Sequence, residues 1–208
     1  MGCSRGGGDR GRRVRHRRRF REQRRLPRRA LAAVPRIADQ SGPLARRLGR
    51  LTDLDGWPAS TALRPANNPV TVVAGLNDLV AAATLRYLHH GYGSPVLLVH
   101  TATAPNAVLH TLPALPEALW AESLTEVWSA SAALTATYAP GRAADRADLP
   151  KPPRGNDPVP DLLDLAVTHG DEHVIKFTDT AVEVYAATGD PEALAAAARI
   201  RNLIAPSA

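Results

Sequence analysis

The sequence contains one cysteine, one methionine, two phenylalanines and two lysines among its 208 residues. The single cysteine, Cys3, excludes a disulfide within the chain and a zinc site built on several thiolates, and it is compatible with a reducing cytoplasm. No uninterrupted apolar run approaches the ~18 residues that a membrane-spanning helix needs. No apolar signal-peptide core follows the first arginines. These absences predict a cytoplasmic protein without a membrane span.

Alanine and leucine supply much of the apolar content, which favours helices over strands. The length suits one domain with a substantial core. Apolar periodicity together with proline and glycine punctuation predicts an all-α, bundle-like fold with a proline-rich loop at 139–160. The predicted helices are one from Pro69 to about residue 89, one from Pro95 that is bent or stopped before Pro105, one at about 116–138, one long helix at about 161–188, and one from Asp190 to about 204.

The positive charge is concentrated at the N-terminus. Residues 1–30 hold 13 arginines and two acidic residues, whereas the other residues hold 13 basic and 18 acidic side chains. With little apolar periodicity, residues 1–30 are predicted to be a disordered basic tail ahead of a helical domain at 31–208. Clustered arginines can neutralise nucleic-acid phosphates, but no aromatic residues interleave with them. An over-extended start in a GC-rich gene is the preferred explanation, and nucleic-acid binding is an alternative.

The predicted helix at 161–188 carries the candidate chemistry. At ~100° per residue, His169, His173 and Lys176 fall on the same side as the apolar stripe, and the carboxylates face water. Polar groups on a buried face are costly unless they are paired or act as ligands. His100 lies on another apolar helix, and imidazoles combined with a carboxylate suit iron, zinc or manganese. The remaining histidines of the helical region are interpreted as surface or capping groups: His89, His90 and His110.

Lys176 is one of only two lysines in a chain with 24 arginines. Where positive charge alone sufficed, this composition would favour arginine, so Lys176 points to chemistry that a guanidinium cannot perform. One such role is a carbamate formed with CO₂, whose carboxylate could bind a metal. The alternative is that Lys176 extends its amine to solvent and that the two histidines are ordinary core residues.

Four segments resemble the questin oxidase-like family, bacterial relatives of fungal enzymes that open anthraquinone rings in polyketide pathways. The resemblance covers roughly residues 50–204, and the two segments that contain histidine are its most specific parts. The segments are 98–105 (Leu-Val-His-Thr-Ala-Thr-Ala-Pro), 112–116 (Leu-Pro-Ala-Leu-Pro), 126–134 (Glu-Val-Trp-Ser-Ala-Ser-Ala-Ala-Leu) and 170–178 (Gly-Asp-Glu-His-Val-Ile-Lys-Phe-Thr).

The resemblance implies an all-helical oxidoreductase that uses dioxygen to oxidise or cleave an aromatic polyketide-like or cyclic ketone substrate. It also implies a cofactor, either a non-haem iron bound by histidines or NADPH. His100, His173 and Lys176 occupy matching motif positions, so we expect His173 and Lys176 to be catalytic. We expect the metal ligands to be His100, His173 and carbamylated Lys176, with His169 as a fourth ligand or a supporting group.

The chain departs from the family in length. Family members are longer, and their N-terminal half contributes further helices and histidines. The sequence therefore also predicts a missing N-terminal half or a second subunit as a partner. Two alternatives to an active enzyme follow: an inactive or partner-dependent fragment, and a nucleic-acid-binding protein with a basic tail.

Overall fold

The computed structural model describes residues 30–61, 68–153 and 157–207. These ranges are helical and contain no β-strand, which confirms the all-α prediction. The predicted basic tail lies outside the described residues, apart from Ala30. After a helical segment at 30–33, the α-helices are α1 (Leu44–Gly49), α2 (Trp57–Thr61), α3 (Pro69–His90), α4 (Pro95–Thr111), α5 (Trp120–Tyr138), α6 (Val159–His169), α7 (Glu172–Thr188) and α8 (Pro191–Leu203).

The 22-residue helix α3 lies at the centre of the bundle and contacts α4, α5, α7 and α8. Its start is defined by a capping box, in which the Asn68 side chain accepts from the Thr71 N–H, with Pro69 in the first turn. The apolar positions that sequence periodicity assigned to the core are buried, as predicted: Val72, Leu76, Leu79, Val80, Ala83 and Leu88.

Helix α4 continues through Pro105 to Thr111, so of the two predicted alternatives, a bend or a stop before Pro105, the stop is wrong. Proline lacks an N–H and leaves the carbonyl four residues earlier without its helical partner. That carbonyl belongs to Thr101, and the buried hydroxyl of Ser131 on α5 donates to it at 3.4 Å. A neighbouring helix therefore supplies the hydrogen bond that α4 cannot make itself.

The predicted single helix at 161–188 is also wrong, because the chain forms two helices separated at Gly170. Gly170 has φ +78°, a left-handed conformation that favours glycine, and its N–H donates to the carbonyls of Ala166 and Val167. Asp171 then caps α7 by accepting from the N–H groups of His173 and Val174. A C-terminal glycine followed directly by an N-terminal aspartate ends one helix and starts the next.

The C-terminal helix α8 begins as predicted, with the Asp190 side chain accepting from the Glu192 N–H. It packs mainly against α7 and α3 and buries an alanine-rich face together with Leu194 and Ile200. The segment at 139–158 is largely irregular, as predicted, apart from one 3₁₀ turn at Arg146–Asp148; residues 154–156 lie outside the description. None of the described helices combines the length and hydrophobicity that crossing a membrane would require.

Candidate functional site

His100 on α4 and His173 on α7 meet where the two helices pack together. Their ring centroids are 5.6 Å apart and the rings are nearly perpendicular, at 84°. Both side chains are half-buried. Burial lowers the pKa of His100, and the nearby charges of Lys176 and His173 lower it further, so neutral imidazole is favoured at this position. The sequence prediction that two helices direct imidazoles toward one another is therefore consistent with the geometry.

His173 lies in the first turn of α7, close to two carboxylates. Its Nδ1 is 3.5 Å from Asp171 Oδ1, the oxygen that caps the helix, and its Nε2 is 3.6 Å from Glu172 Oε1. Nδ1 is buried and makes no hydrogen bond. Asp171 therefore caps the start of α7 and also lies beside the His173 imidazole. At 3.5 Å the carboxylate is a nearby negative charge for the ring, without a hydrogen bond to it.

Lys176 lies one turn beyond His173 and lines the same groove as His100. The groove runs along the α4–α7 contact, is open to solvent and has a volume of about 400 Å³. Small side chains form much of its wall, and His173 is not among the residues that line it. The other lining residues are Thr103, Ala104, Asn106, Ala107, His110, Asp179 and Thr180.

His169 is the last residue of α6, whereas His173 and Lys176 lie on α7. The prediction that all three residues share one helix is therefore wrong. The side chain is buried, and its Nε2 is 3.0 Å from the Ile204 carbonyl oxygen. The His169 carbonyl in turn accepts from the Ser207 N–H at 3.0 Å. These contacts tie His169 to the C-terminal segment. Its role as a fourth ligand remains a prediction.

A polar network at the other end of the groove was missed by sequence reasoning. Glu183 Oε2 accepts from Asn106 Nδ2 at 2.9 Å and lies 3.0 Å from His110 Nε2. The helical periodicity predicts that the carboxylates of this region face water. The Glu183 side chain is 40% exposed, but it also contacts Asn106 and His110, because α4 packs against α7 at this level. His110, interpreted as a surface or capping group, is exposed but is also paired with Glu183. The pairing joins residues more than 70 positions apart, so no local pattern reveals it.

The same network borders a second cavity between α3, α4 and α7. Its volume is about 340 Å³, and both Asn106 and Glu183 contribute to its wall. The rest of the lining is largely small and apolar, with Asn77, Asp78 and Thr188 as further polar groups. Asn106 is 6% exposed, so its amide is held almost entirely by protein contacts.

Within the described ranges, histidine, cysteine, aspartate and glutamate side chains form no group of three or more that could hold a metal ion. His100 and His173 are a pair, and a third protein ligand beside them would have to come from another residue type. Lys176 lines the same groove and supplies a carboxylate if its amine is carbamylated. Comparison of the chain with protein families, with curated proteins and with solved structures finds no match.

Proposed function

We propose that this protein is an oxygen-dependent oxidoreductase of the questin oxidase type, and that its reaction centre is the groove between α4 and α7. The observation that carries the proposal is the contact between His100 and His173, whose rings come from two helices and lie 5.6 Å apart. Each ring centroid of a metal-bound imidazole lies ~3 Å from the ion when the metal–nitrogen distance is ~2 Å, so this separation suits two ligands of one ion.

The chemistry of the three side chains fits a non-haem iron. His100 favours its neutral form, which leaves a nitrogen lone pair for the metal. Carbamylated Lys176 would complete a set of two imidazoles and one carboxylate, the ligand combination typical of iron centres that react with dioxygen. Bound there, iron would supply the activation of dioxygen. Asp171, whose Oδ1 lies 3.5 Å from His173 Nδ1, would place a negative charge beside that ring.

The groove would hold a flat aromatic or cyclic ketone substrate against the small side chains of α4. His110, at the opposite end of the groove, would accept a proton from the substrate. Because Glu183 lies 3.0 Å from His110 Nε2, a proton on that nitrogen is stabilised there, which leaves Nδ1 as the basic atom. Asn106 fixes Glu183 through its own hydrogen bond. The proposal assigns no residue to NADPH.

Replacement of the two lysines tests the metal assignment. Lys176→Arg preserves the positive charge, but a guanidinium does not form a stable carbamate. The other lysine, Lys151, is exposed in the proline-rich loop and provides the matched control Lys151→Arg. Each protein is loaded with ferrous iron anaerobically in bicarbonate buffer, and iron is then measured by elemental analysis. We expect about one iron per chain in the wild type and in Lys151→Arg, and loss of iron in Lys176→Arg with unchanged circular dichroism.

Labelling with ¹³C-bicarbonate provides a second measurement, because a lysine carbamate gives a distinct carbonyl resonance. The resonance should be present in the wild type and in Lys151→Arg, and absent from Lys176→Arg. Equal iron contents in all three folded proteins would contradict the assignment of Lys176. A folded wild-type protein that retains no iron would instead favour the alternative, an inactive or partner-dependent fragment.

A further inference from the structure

The proposed reaction makes no use of the cavity between α3, α4 and α7, which has a volume of about 340 Å³. This volume is at the lower end of the range for small-molecule sites. At ~30 Å³ for each water molecule, it corresponds to about ten waters, so a ligand with about ten non-hydrogen atoms fits.

Apolar side chains from all three helices form much of the wall of this cavity. Val80 and Ala81 come from α3, Leu109 comes from α4, and Val184 and Ala187 come from α7. A hydrocarbon group that enters the cavity removes its own surface and that of the wall from water, which is favourable. The wall therefore suits a ligand with an apolar body.

The ionisable side chains of the wall are carboxylates. Asp78 lies on the α3 side and Glu183 on the α7 side, and no lysine, arginine or histidine is among the described residues that line the cavity. Glu183 makes its contacts within the described ranges through Oε2, with Asn106 Nδ2 at 2.9 Å and His110 Nε2 at 3.0 Å. An ionised carboxylate accepts hydrogen bonds on both oxygens, so Oε1 of Glu183 is left to accept from a ligand.

Asn106 holds Glu183 in place without cancelling its charge. The Asn106 side chain is almost fully buried, and its Nδ2 lies 3.4 Å from Thr180 Oγ1 as well as donating to Glu183. An amide is neutral, so this hydrogen bond orients the carboxylate and leaves its negative charge. The other partner, His110, does not line the cavity, and its side chain is 59% exposed, so water screens its charge when it is protonated.

We propose that the cavity between α3, α4 and α7 binds a small organic amine. The ammonium group donates to the Glu183 carboxylate, and the hydrocarbon part lies against the apolar wall. A neutral molecule of the same shape lacks the charge-assisted hydrogen bond, and an organic anion is repelled by the carboxylates of the wall. The proposal concerns binding alone and does not depend on the proposed function.

Two compounds of matched shape, phenethylamine and phenethyl alcohol, test the charge requirement on the full-length wild type. Isothermal titration calorimetry at pH 7 measures both dissociation constants, without iron, so that a failure of this proposal is distinguishable from a failure of the proposed function. Because Glu183 is partly exposed, we expect the amine to bind about tenfold more tightly than the alcohol. No measurable binding of the amine, or equal affinities for the two compounds, would overturn the proposal.

Two pairs of variants locate the binding site. Glu183→Gln removes the charge, and Glu126→Gln, at an exposed position of α5, is its control. Ala187→Leu places a larger side chain in the wall, and Ala186→Leu, at an exposed neighbour that does not line the cavity, is its control. We expect Glu183→Gln to bind amine and alcohol equally, Ala187→Leu to bind both several-fold more weakly, and the controls to match the wild type. Wild-type amine affinity in folded Ala187→Leu, or an unchanged preference for the amine in folded Glu183→Gln, would contradict the proposal.

Discussion

His90 and His100 are both half-buried histidines whose pKa values lie below that of a free imidazole. Burial is the main cause for both, but their neighbours differ. His100 faces Lys176 and His173 in a groove that a ligand can enter, whereas His90 faces two arginines beside a cavity of about 10 Å³. The same residue type therefore lines an open groove in one place and is packed beside cationic side chains in the other.

The environment of His90 predicts a pH dependence of stability. Its pKa is about 4 in the folded protein, against 6.5 for a free histidine, so between these values the unfolded chain binds more protons. The free energy of unfolding should therefore decrease as the pH falls from 6.5 toward 4, by about 1 kcal/mol after allowance for solvent screening. Urea denaturation in gluconate buffers at several pH values measures this decrease.

The variant His90→Gln isolates the effect, because glutamine does not titrate. Above pH 6.5 its free energy of unfolding should follow that of the wild type at a constant offset, and below it the wild type should lose stability more steeply. Parallel profiles over the whole range would show that His90 does not cause the loss.

Single-residue reasoning from the sequence found part of the candidate groove. It placed His173 and Lys176 toward the apolar side of their helix and singled out His100, because helical periodicity fixes which side of a helix is buried. It missed Glu183 and Asn106, since periodicity does not specify which neighbouring helix covers the edge of the buried side. Their interaction depends on the packing of α4 against α7, which no local pattern encodes.

At the level of helices, the sequence predicts most of the helix starts correctly. The predictions differ from the structure at two places, Pro105 and Gly170. The starts of α3 and α8 follow from local signals, Asn68 before Pro69 and Asp190 before Pro191. The break at Gly170 also had a local signal, a glycine followed by an aspartate, but the apolar periodicity continued across it and concealed the boundary. The passage of α4 through Pro105 had no local signal, because the compensating hydroxyl is on α5.

Replacement of Gly170 and Gly189 by alanine should separate backbone strain from steric contact. Both glycines end a helix with positive φ, +78° and +67°. Alanine at either position should cost about 1–2 kcal/mol, because its Cβ is disfavoured in this conformation. At Gly170 the added Cβ would also lie 3.2 Å from the Cβ of Ser207, whereas nothing lies within 4 Å of it at Gly189. We therefore expect the larger loss at Gly170.

Chemical denaturation of the two variants measures both losses, with Gly49→Ala as the control. Gly49 lies in α1 without positive φ, and an added Cβ there meets nothing within 4 Å, so the change should be neutral or slightly stabilising. Equal losses at Gly170 and Gly189 would mean that the Ser207 segment moves away at no measurable cost.

At the scale of the whole molecule, α3 is surrounded by helices from both halves of the chain. Its Tyr87 ring packs against Phe177 of α7 at a centroid distance of 4.4 Å, and the Tyr87 hydroxyl donates to the Pro95 carbonyl at 3.1 Å. The main core continues from α3 into α4, α5, α7 and α8. Helices α3 to α8 thus share one core, and we expect them to unfold together.

Two isoleucines test how far this shared core determines stability. Ile200 on α8 is 0% exposed, whereas Ile175 on α7 is 39% exposed. Ile200→Ala should destabilise the protein by about 2–5 kcal/mol, through lost burial and the cavity left behind. Ile175→Ala should change stability by no more than about 0.5 kcal/mol. Both substitutions introduce alanine inside a helix, so helix propensity largely cancels in the comparison.

Urea denaturation followed by circular dichroism and by tryptophan fluorescence provides the measurement. The two signals should change together, because α5 carries Trp120 and Trp128 in the core that Ile200 joins. Loss of α8 at lower urea than the tryptophan signal would show that α8 is a separate folding unit.

The hydrogen bond from Ser131 to Thr101 has a consequence for how this sequence can change over time. Pro105 leaves the Thr101 carbonyl without a donor inside α4, and the Ser131 hydroxyl on α5 supplies one. The effect of a substitution at either position therefore depends on the residue at the other. An alanine at position 105 would restore the internal bond of α4 and make the serine dispensable. A change at Ser131 alone would leave a buried carbonyl unsatisfied, at a cost of about 1–3 kcal/mol. Positions 105 and 131 should therefore covary among descendants of this chain, with the proline substituted before the serine.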